Sequence, residues 1–460
     1  MSRNRVAIVG GGISGLATAY YLKCRGIEST LIERSERLGG LIKTDIVAGC
    51  TLEAGPDSYL SSKPAVTELA RELSGPRGEI GGDIVSPNAA ARRIFILRSG
   101  RLMPFPRGMS MMAPGEWLPA MRSDLFSTRT KLRFVAERFS RPRKRADDIS
   151  VGELVGEHFG PEVLEYVADP LLVGVYGGDA ARLSAESVLP RFMAYEQRYG
   201  SLIRGVKQDK PTASGGLFLS FRDGMQTLTD AVARALGAAV TVVHEEATAV
   251  VRTNQWQVRV GRELVSAEHL VLACPAHVCA GLLKDSASEA ANLLAQIPYS
   301  SAIVVTLLYD AGEVRHPLDG FGFLVPRSER QTVAAATWIN TKFPSRVAPG
   351  LVAIRVFIVA SDAVRLSGVP DGDLVRLAAA DLRRVMGLGA EPRHSAVYRW
   401  PASMPQYVVG HRARMQTLET AMANYPGLYL VGNAYEGVGV PDCVRLAQRA
   451  AEQIADIKTF

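Results

Sequence analysis

Cysteine is scarce, five in 460 residues. Cys24, Cys50, Cys274, Cys279 and Cys443 form no C-x-x-C pair. An odd count without metal-ligand spacing reads as a reduced, cytoplasmic protein with mostly buried thiols. The seven histidines form no H-E-x-x-H or comparable cluster, so no metal is expected. No run reaches the roughly 18 apolar residues of a spanning helix. Met1 to Arg5 leads straight into an apolar segment, so no secretory leader is expected. Internal repeats and low-complexity tracts are missing too. What remains has an ordinary globular composition, 47% apolar and 22% charged, in a chain long enough for two or three domains.

The net charge of +7 is unevenly placed. Ala91 to Arg145 holds fourteen Lys/Arg against three Asp/Glu, interleaved with Met103, Phe105, Met109, Met111, Met112, Trp117, Leu118, Met121, Leu125 and Phe126. Such a stretch has two readings: peripheral contact with an anionic membrane, here the inner face of the cell membrane, or a solvated basic face on a helical subdomain. No nucleic-acid motif accompanies it, so nucleic acid is not an expected partner.

The N-terminus carries the clearest chemistry. Val6-Ala7-Ile8-Val9 is an apolar strand; Gly10, Gly11, Gly12, Ile13, Ser14 and Gly15 form a glycine turn; a helical pattern follows; and Thr30-Leu31-Ile32 ends in Glu33. Gly10 permits the tight turn, Gly12 lets the backbone approach a pyrophosphate, and Gly15 lets the helix pack on the sheet. The helix N-terminus then offers free N–H groups and the positive end of its dipole. Glu33, 23 residues after Gly10, stands where an acid accepts hydrogen bonds from a ribose diol, and it disfavours a 2′-phosphate. "ERSERLGG" adds Arg34, Arg37, Gly39 and Gly40, and "TLEAGPDSYL" adds a turn at Gly55.

Later segments fall into the same scheme. Residues 1–87 are the first part of a nucleotide domain, and 88–210 read as a helical, basic insert. Residues 211–285 return to the nucleotide domain, with Leu270 to Ala273 as a strand of its sheet. Residues 286–398 form a fresh mixed α+β block, and 399–460 return once more, with Leu428 to Val431 as a strand and a helix after Pro441. The expected fold class is therefore α/β, with a Rossmann-like dinucleotide domain built from discontinuous segments beside a mixed α+β substrate domain and a helical insert.

The glycine motif with "ERLGG" and the Gly55 turn resembles the FAD-binding half of the glutathione-reductase-like flavoproteins. That resemblance, not the glycines, implies FAD. "EAGPDSYLSSKP", "WPASMPQYVVGH" and "YEGVGVPDC" further resemble the FAD-dependent porphyrinogen oxidases over nearly the whole chain, least closely from Arg92 to Lys210. The resemblance implies that a tetrapyrrole porphyrinogen loses six electrons in three two-electron steps through FAD, with molecular oxygen as acceptor and peroxide as by-product. Protoporphyrinogen IX in haem biosynthesis is the expected substrate, with coproporphyrinogen III as the alternative. The oligomeric state stays open, a homodimer included.

Residue by residue, the match carries to FAD the run Gly10 to Gly15, Glu33, Arg34, Arg37, Gly39, Gly40, Leu41, the turn Gly55, Pro56, Asp57 and Ser58, then Trp400, Val438, Gly439 and Val440. Asp57 borders flavin and substrate in that picture. It either orients or deprotonates a pyrrole N–H, or caps its own turn. Arg92, ahead of Arg93, stands near the family's propionate-binding arginine; a charge-assisted pair there contributes roughly 1.5–3 kcal/mol. Leu324, Phe357 and Met386 are either pocket walls or core. Two rivals remain: another flavin enzyme, such as an amine oxidase attached through Cys443 or a carotenoid desaturase, and a non-enzymatic prenyl-binding escort of the same fold. The expectation is non-covalent FAD.

Overall fold

The computed structural model describes residues 6–74, 80, 83–209 and 216–456. Five parallel strands form the nucleotide sheet in the order Val240–His244, Ser29–Glu33, Val6–Val9, His269–Leu272, Leu428–Leu430. All four residues of Val6–Val9 are buried, because layers cover both faces of a parallel sheet and its central strand must be apolar on both. Val6 and Ile8 face the helices Ile13–Cys24, Gln226–Leu236 and Val440–Asp456. Ala7 and Val9 face an antiparallel three-stranded sheet, Ala247–Arg252, Trp256–Val260 and Glu263–Ala267, and the helices Ala276–Leu283 and Ser288–Ala295. The returns expected near 270 and 428 are in place.

Beside it stands a seven-stranded sheet, ordered His394–Pro405, Tyr299–Asp310, Leu351–Val359, Ala335–Trp338, Gly322–Leu324, Ile94–Arg98, Arg101–Pro104. Period-two alternation sorts its side chains. Ile303, Val305, Leu307, Val352, Ile354, Val356 and Ile358 pack with Leu374, Ala378 and Leu382 of the helix Asp371–Met386. Thr306, Arg355, Thr337 and Trp400 take the alternate positions and point the other way.

The helical block runs from Trp117–Arg122 to Leu202–Gln208 around its own core of Phe134, Leu154, Phe159, Leu172 and Leu202. Three features differ from the segmentation by sequence. Ile94–Arg98 and Arg101–Pro104, inside the stretch read as helical, form a hairpin of the large sheet. The helix Ser288–Ala295 packs with the nucleotide half. The expected boundary after residue 398 falls within the strand His394–Pro405, while the boundary at 210/211 lies outside the described residues.

Candidate active site

Three glycine turns meet at the end of the nucleotide sheet. Gly12 precedes the helix Ile13–Cys24 in an extended conformation with no side-chain cap, so the first N–H groups of that helix stay free. A Cβ on Gly12 would meet nothing within 4 Å, which marks open space in front of those donors. A Cβ on Gly15 would lie 1.9 Å from the Gly10 carbonyl oxygen, so the close helix–turn contact admits glycine. The second turn is stitched to the first: Gly39 N–H donates to Gly11 O at 2.8 Å. The third follows, since a Cβ on Gly55 would lie 1.9 Å from Leu41 O. Glu33 waits beside them with Oε2 accepting from Gly11 N–H at 2.6 Å. Its Oε1 accepts from the Ser35 N–H and hydroxyl at 2.9 and 2.8 Å.

The third turn carries Asp57 into a charge cluster. Ser58 Oγ donates to Asp57 Oδ1 at 2.7 Å and Lys342 Nζ to Oδ2 at 2.7 Å; the Arg355 guanidinium lies 3.7 Å from Oδ2. Burial pushes the Asp57 carboxyl upward, but Lys342 and Arg355 together outweigh it and hold the group well below the usual carboxylate range. Behind it, Arg346 donates to Ser220 Oγ and Phe221 O, each at 2.6 Å, and pairs with Glu53 at 3.2 Å. Burial raises the Glu53 carboxyl despite Arg346. Asp57, Glu53, Arg346 and Arg355 line a small cavity with Thr51, Thr337, Ile339 and Phe343. Nε of Arg346 and Nε of Arg355 are buried there without a hydrogen-bond partner.

Residues 13–455 match the model of the family "Flavin containing amine oxidoreductase". The chain belongs to this family. Within it the chain groups with the porphyrinogen oxidases. It is 33% identical to the coproporphyrinogen III oxidase of Bacillus subtilis, over 100% of this chain and 98% of that one. It is 30% identical to the chloroplastic protoporphyrinogen oxidase of Oryza sativa, over 98% of this chain and 88% of that one. A crystal structure from Exiguobacterium sp. 255-15, assigned provisionally as a protoporphyrinogen oxidase, superposes with a TM-score of 0.88 at 32% identity, covering 99% of both chains. Reduced UDP-galactopyranose mutase shares the fold, with a TM-score of 0.73 at 16% identity, over 99% of this chain and 96% of that one.

The cofactor of this flavin oxidoreductase is therefore FAD, and the open turn at Gly12, the free helix N-terminus and the oriented Glu33 fit a dinucleotide. Other residues named from sequence take varied places. Arg37 is committed to the second turn, donating to Leu38 O at 2.9 Å, Ile42 O at 2.8 Å and Gly40 O. Arg34 and Leu41 are exposed. Ile13 and Ser14 are buried in the first helical turn, while Pro56 and Ser58 stay half-buried. Trp400 reaches the third turn, donating from Nε1 to Ala54 O at 2.8 Å. Val438, Gly439 and Val440 are half-buried ahead of the last helix. The Gly439 N–H is taken by Asp442, which Lys63 also holds at 2.6 Å. The last helix thus brings its own carboxylate to its N-terminus. Cys443 is buried among the helices of the nucleotide core, and burial raises its thiol to about 11, an arrangement unsuited to covalent attachment.

Arg93 pairs with Asp319 at 2.8 Å, whereas Arg92 is exposed beside Gly216 with no ion pair among the described residues. The Arg92 segment is tied to the Asp57 cluster, because Asn88 N–H donates to Lys342 O at 3.0 Å. Met386 lies in the core under the large sheet, while Leu324 and Phe357 stay half-buried. Sequence reasoning missed Lys342, Arg346 and Arg355. Arg355 carried a signal, a single charge inside the apolar run "LVAIRVFIVA", since a buried guanidinium implies a partner. Lys342 carried none.

Proposed function

We propose that this chain oxidises a porphyrinogen to the porphyrin in haem biosynthesis, with molecular oxygen as terminal acceptor and coproporphyrinogen III as preferred substrate. The observation that carries the reading is the full-length likeness to the coproporphyrinogen III oxidases of Bacillus subtilis and Staphylococcus aureus, at 33% and 31% identity. It shifts the preference away from the protoporphyrinogen IX expected from sequence. Protoporphyrinogen IX is the second reading, supported by the 30% identity to the rice protein.

Bound FAD supplies the two-electron acceptor and returns the electrons to oxygen as peroxide. The chain's own residues orient and polarise. The free N–H groups at the start of the helix Ile13–Cys24 would hold the pyrophosphate and Glu33 the ribose. Asp57 would accept a hydrogen bond from a pyrrole N–H, and Arg92, with no ion pair among the described residues, would meet a propionate carboxylate. The exposed Leu118, Leu132 and Phe139, among Arg129, Arg138, Arg141, Arg143 and Lys144, would rest on an anionic membrane surface.

Anaerobic mixing of the FAD-loaded protein with a porphyrinogen tests the reaction. Bleaching of the flavin band with a matching rise of porphyrin fluorescence is expected. Bleaching by primary amines and none by porphyrinogens would contradict it.

A further inference from the structure

We propose that Lys342 is a positioning residue, fixing Asp57 as a standing hydrogen-bond acceptor for a pyrrole N–H and not as the group that takes the pyrrole proton. The inference rests on the porphyrinogen reading above and concerns a residue to which that reading assigns nothing.

The geometry is the argument. A carboxylate offers about four lone-pair sites. Two of the Asp57 sites are filled by strong donors, Ser58 on Oδ1 and Lys342 on Oδ2, each at 2.7 Å. The carboxylate is thereby held in one orientation with acceptor capacity left over, and its side chain keeps 17% of its exposure. Lys342 is itself held at the end of the short helix Ile339–Lys342, where its carbonyl receives the Asn88 N–H. Its side chain is 14% exposed, too buried to swing freely into solvent.

Every element packed around Asp57 contributes to the balance. Lys342 faces it from the helix Ile339–Lys342 and Arg355 from the strand Leu351–Val359. Ser220 Oγ donates to its backbone carbonyl at 2.6 Å from the strand Phe218–Phe221. Glu53, at the end of the strand Cys50–Glu53, pairs with Arg346 at 3.2 Å and also feels Arg355, which it shares with Asp57; Tyr398 stands beside Arg355 and Glu53 on the strand His394–Pro405. Two carboxylates thus meet three cations. A carboxylate in that setting is a weak base, so it orients an N–H well and removes its proton poorly. The proton must leave to another acceptor, such as solvent.

The test compares Lys342→Met and Lys342→Arg with the native holoenzyme. The acid limb of kcat/KM on coproporphyrinogen III should rise by about one to three pH units in Lys342→Met, because Asp57 loses its nearest cation. Lys342→Arg should restore it. A second readout uses no turnover: the thermal midpoint of Lys342→Met should fall below that of the native protein near neutral pH, and the gap should close as acid protonates Asp57. If Lys342→Met does not fold, Lys342→Gln is measured in its place with the same expectation. An unmoved acid limb together with a pH-independent gap in thermal midpoint would overturn the inference. A native protein that turns over no porphyrinogen would fail the parent reading instead, and the thermal comparison would still decide the role of Lys342.

Discussion

Glu33 shows how much one residue can settle. Its oxygens are already oriented by the Gly11 and Ser35 N–H groups, so in the proposed role a ribose diol would meet a carboxylate that needs no reorganisation. Glu33→Gln removes the charge from that contact, and charged hydrogen bonds contribute roughly 1.5–3 kcal/mol. FAD affinity should therefore fall about ten- to hundredfold, as read by flavin fluorescence during titration of the apoprotein. Asp57→Asn is harsher, because it leaves Lys342 and Arg355 buried without their carboxylate. A loss of about 3–5 kcal/mol in urea unfolding is expected, with turnover reduced as well. The place of Glu33, at a strand end beside the glycine turn, was legible in the sequence because it is local to one strand–turn–helix unit. Lys342 was not, because its partner lies 285 residues away and nothing around "NTKF" marks it. Arg37, carried to FAD by the resemblance, was not legible as a brace of its own turn, since the carbonyls it binds exist only once the turn has closed.

At the scale of elements, the helical block is held by a buried charge network. His158 directs Nδ1 at Glu137, 2.9 Å away, and Nε2 at Glu196, 3.2 Å away, while Arg145 bridges Glu196 and Glu157. Glu137 also accepts the Ser201 hydroxyl and the Leu202 N–H at the start of the last helix of the block. Burial disfavours the imidazolium, but the two carboxylates prevail and raise His158 above its ordinary value. A raised group stabilises fully below its unfolded pKa, near ~6.5, and the benefit is lost as pH rises through the folded value. His158→Gln should cost about 3 kcal/mol at pH 5, and thermal midpoints against pH should show the difference from the native protein shrinking on the alkaline side. Three exposed apolar side chains of the block make a separate prediction. Leu118, Leu132 and Phe139 are 60%, 63% and 79% exposed; under the proposed membrane contact the native protein should sediment with phosphatidylserine vesicles, and Leu132→Asp with Phe139→Asp should abolish that. The helices themselves were readable from their periodicity. The hairpin Ile94–Arg98 with Arg101–Pro104 was not separated from them, because Arg92, Arg93, Arg98 and Arg101 made it look like part of the basic insert.

For the whole molecule, the proposed dinucleotide cradle would draw on turns at Gly10–Gly15, Gly39–Leu41, Gly55–Ser58 and Val438–Val440, which span the chain from end to end. Binding is therefore linked to the global fold, and FAD at a hundred times its Kd should add about 2.7 kcal/mol, seen as a rise in thermal midpoint over the apoprotein. The strands Val6–Val9, His269–Leu272 and Leu428–Leu430 announced this discontinuous sheet through their apolar runs, with glycine turns after the first and the last. The place of Val240–His244 at the edge of this sheet could not be read from its own segment, since its partner Ser29–Glu33 lies about two hundred residues away. The measurement that tests the central claim most directly is aerobic turnover of FAD-loaded protein on coproporphyrinogen III and protoporphyrinogen IX side by side, with porphyrin fluorescence and peroxide followed together. Turnover with three peroxides per porphyrin, faster on coproporphyrinogen III, is the expected result. Retained flavin with no turnover of either would contradict the account.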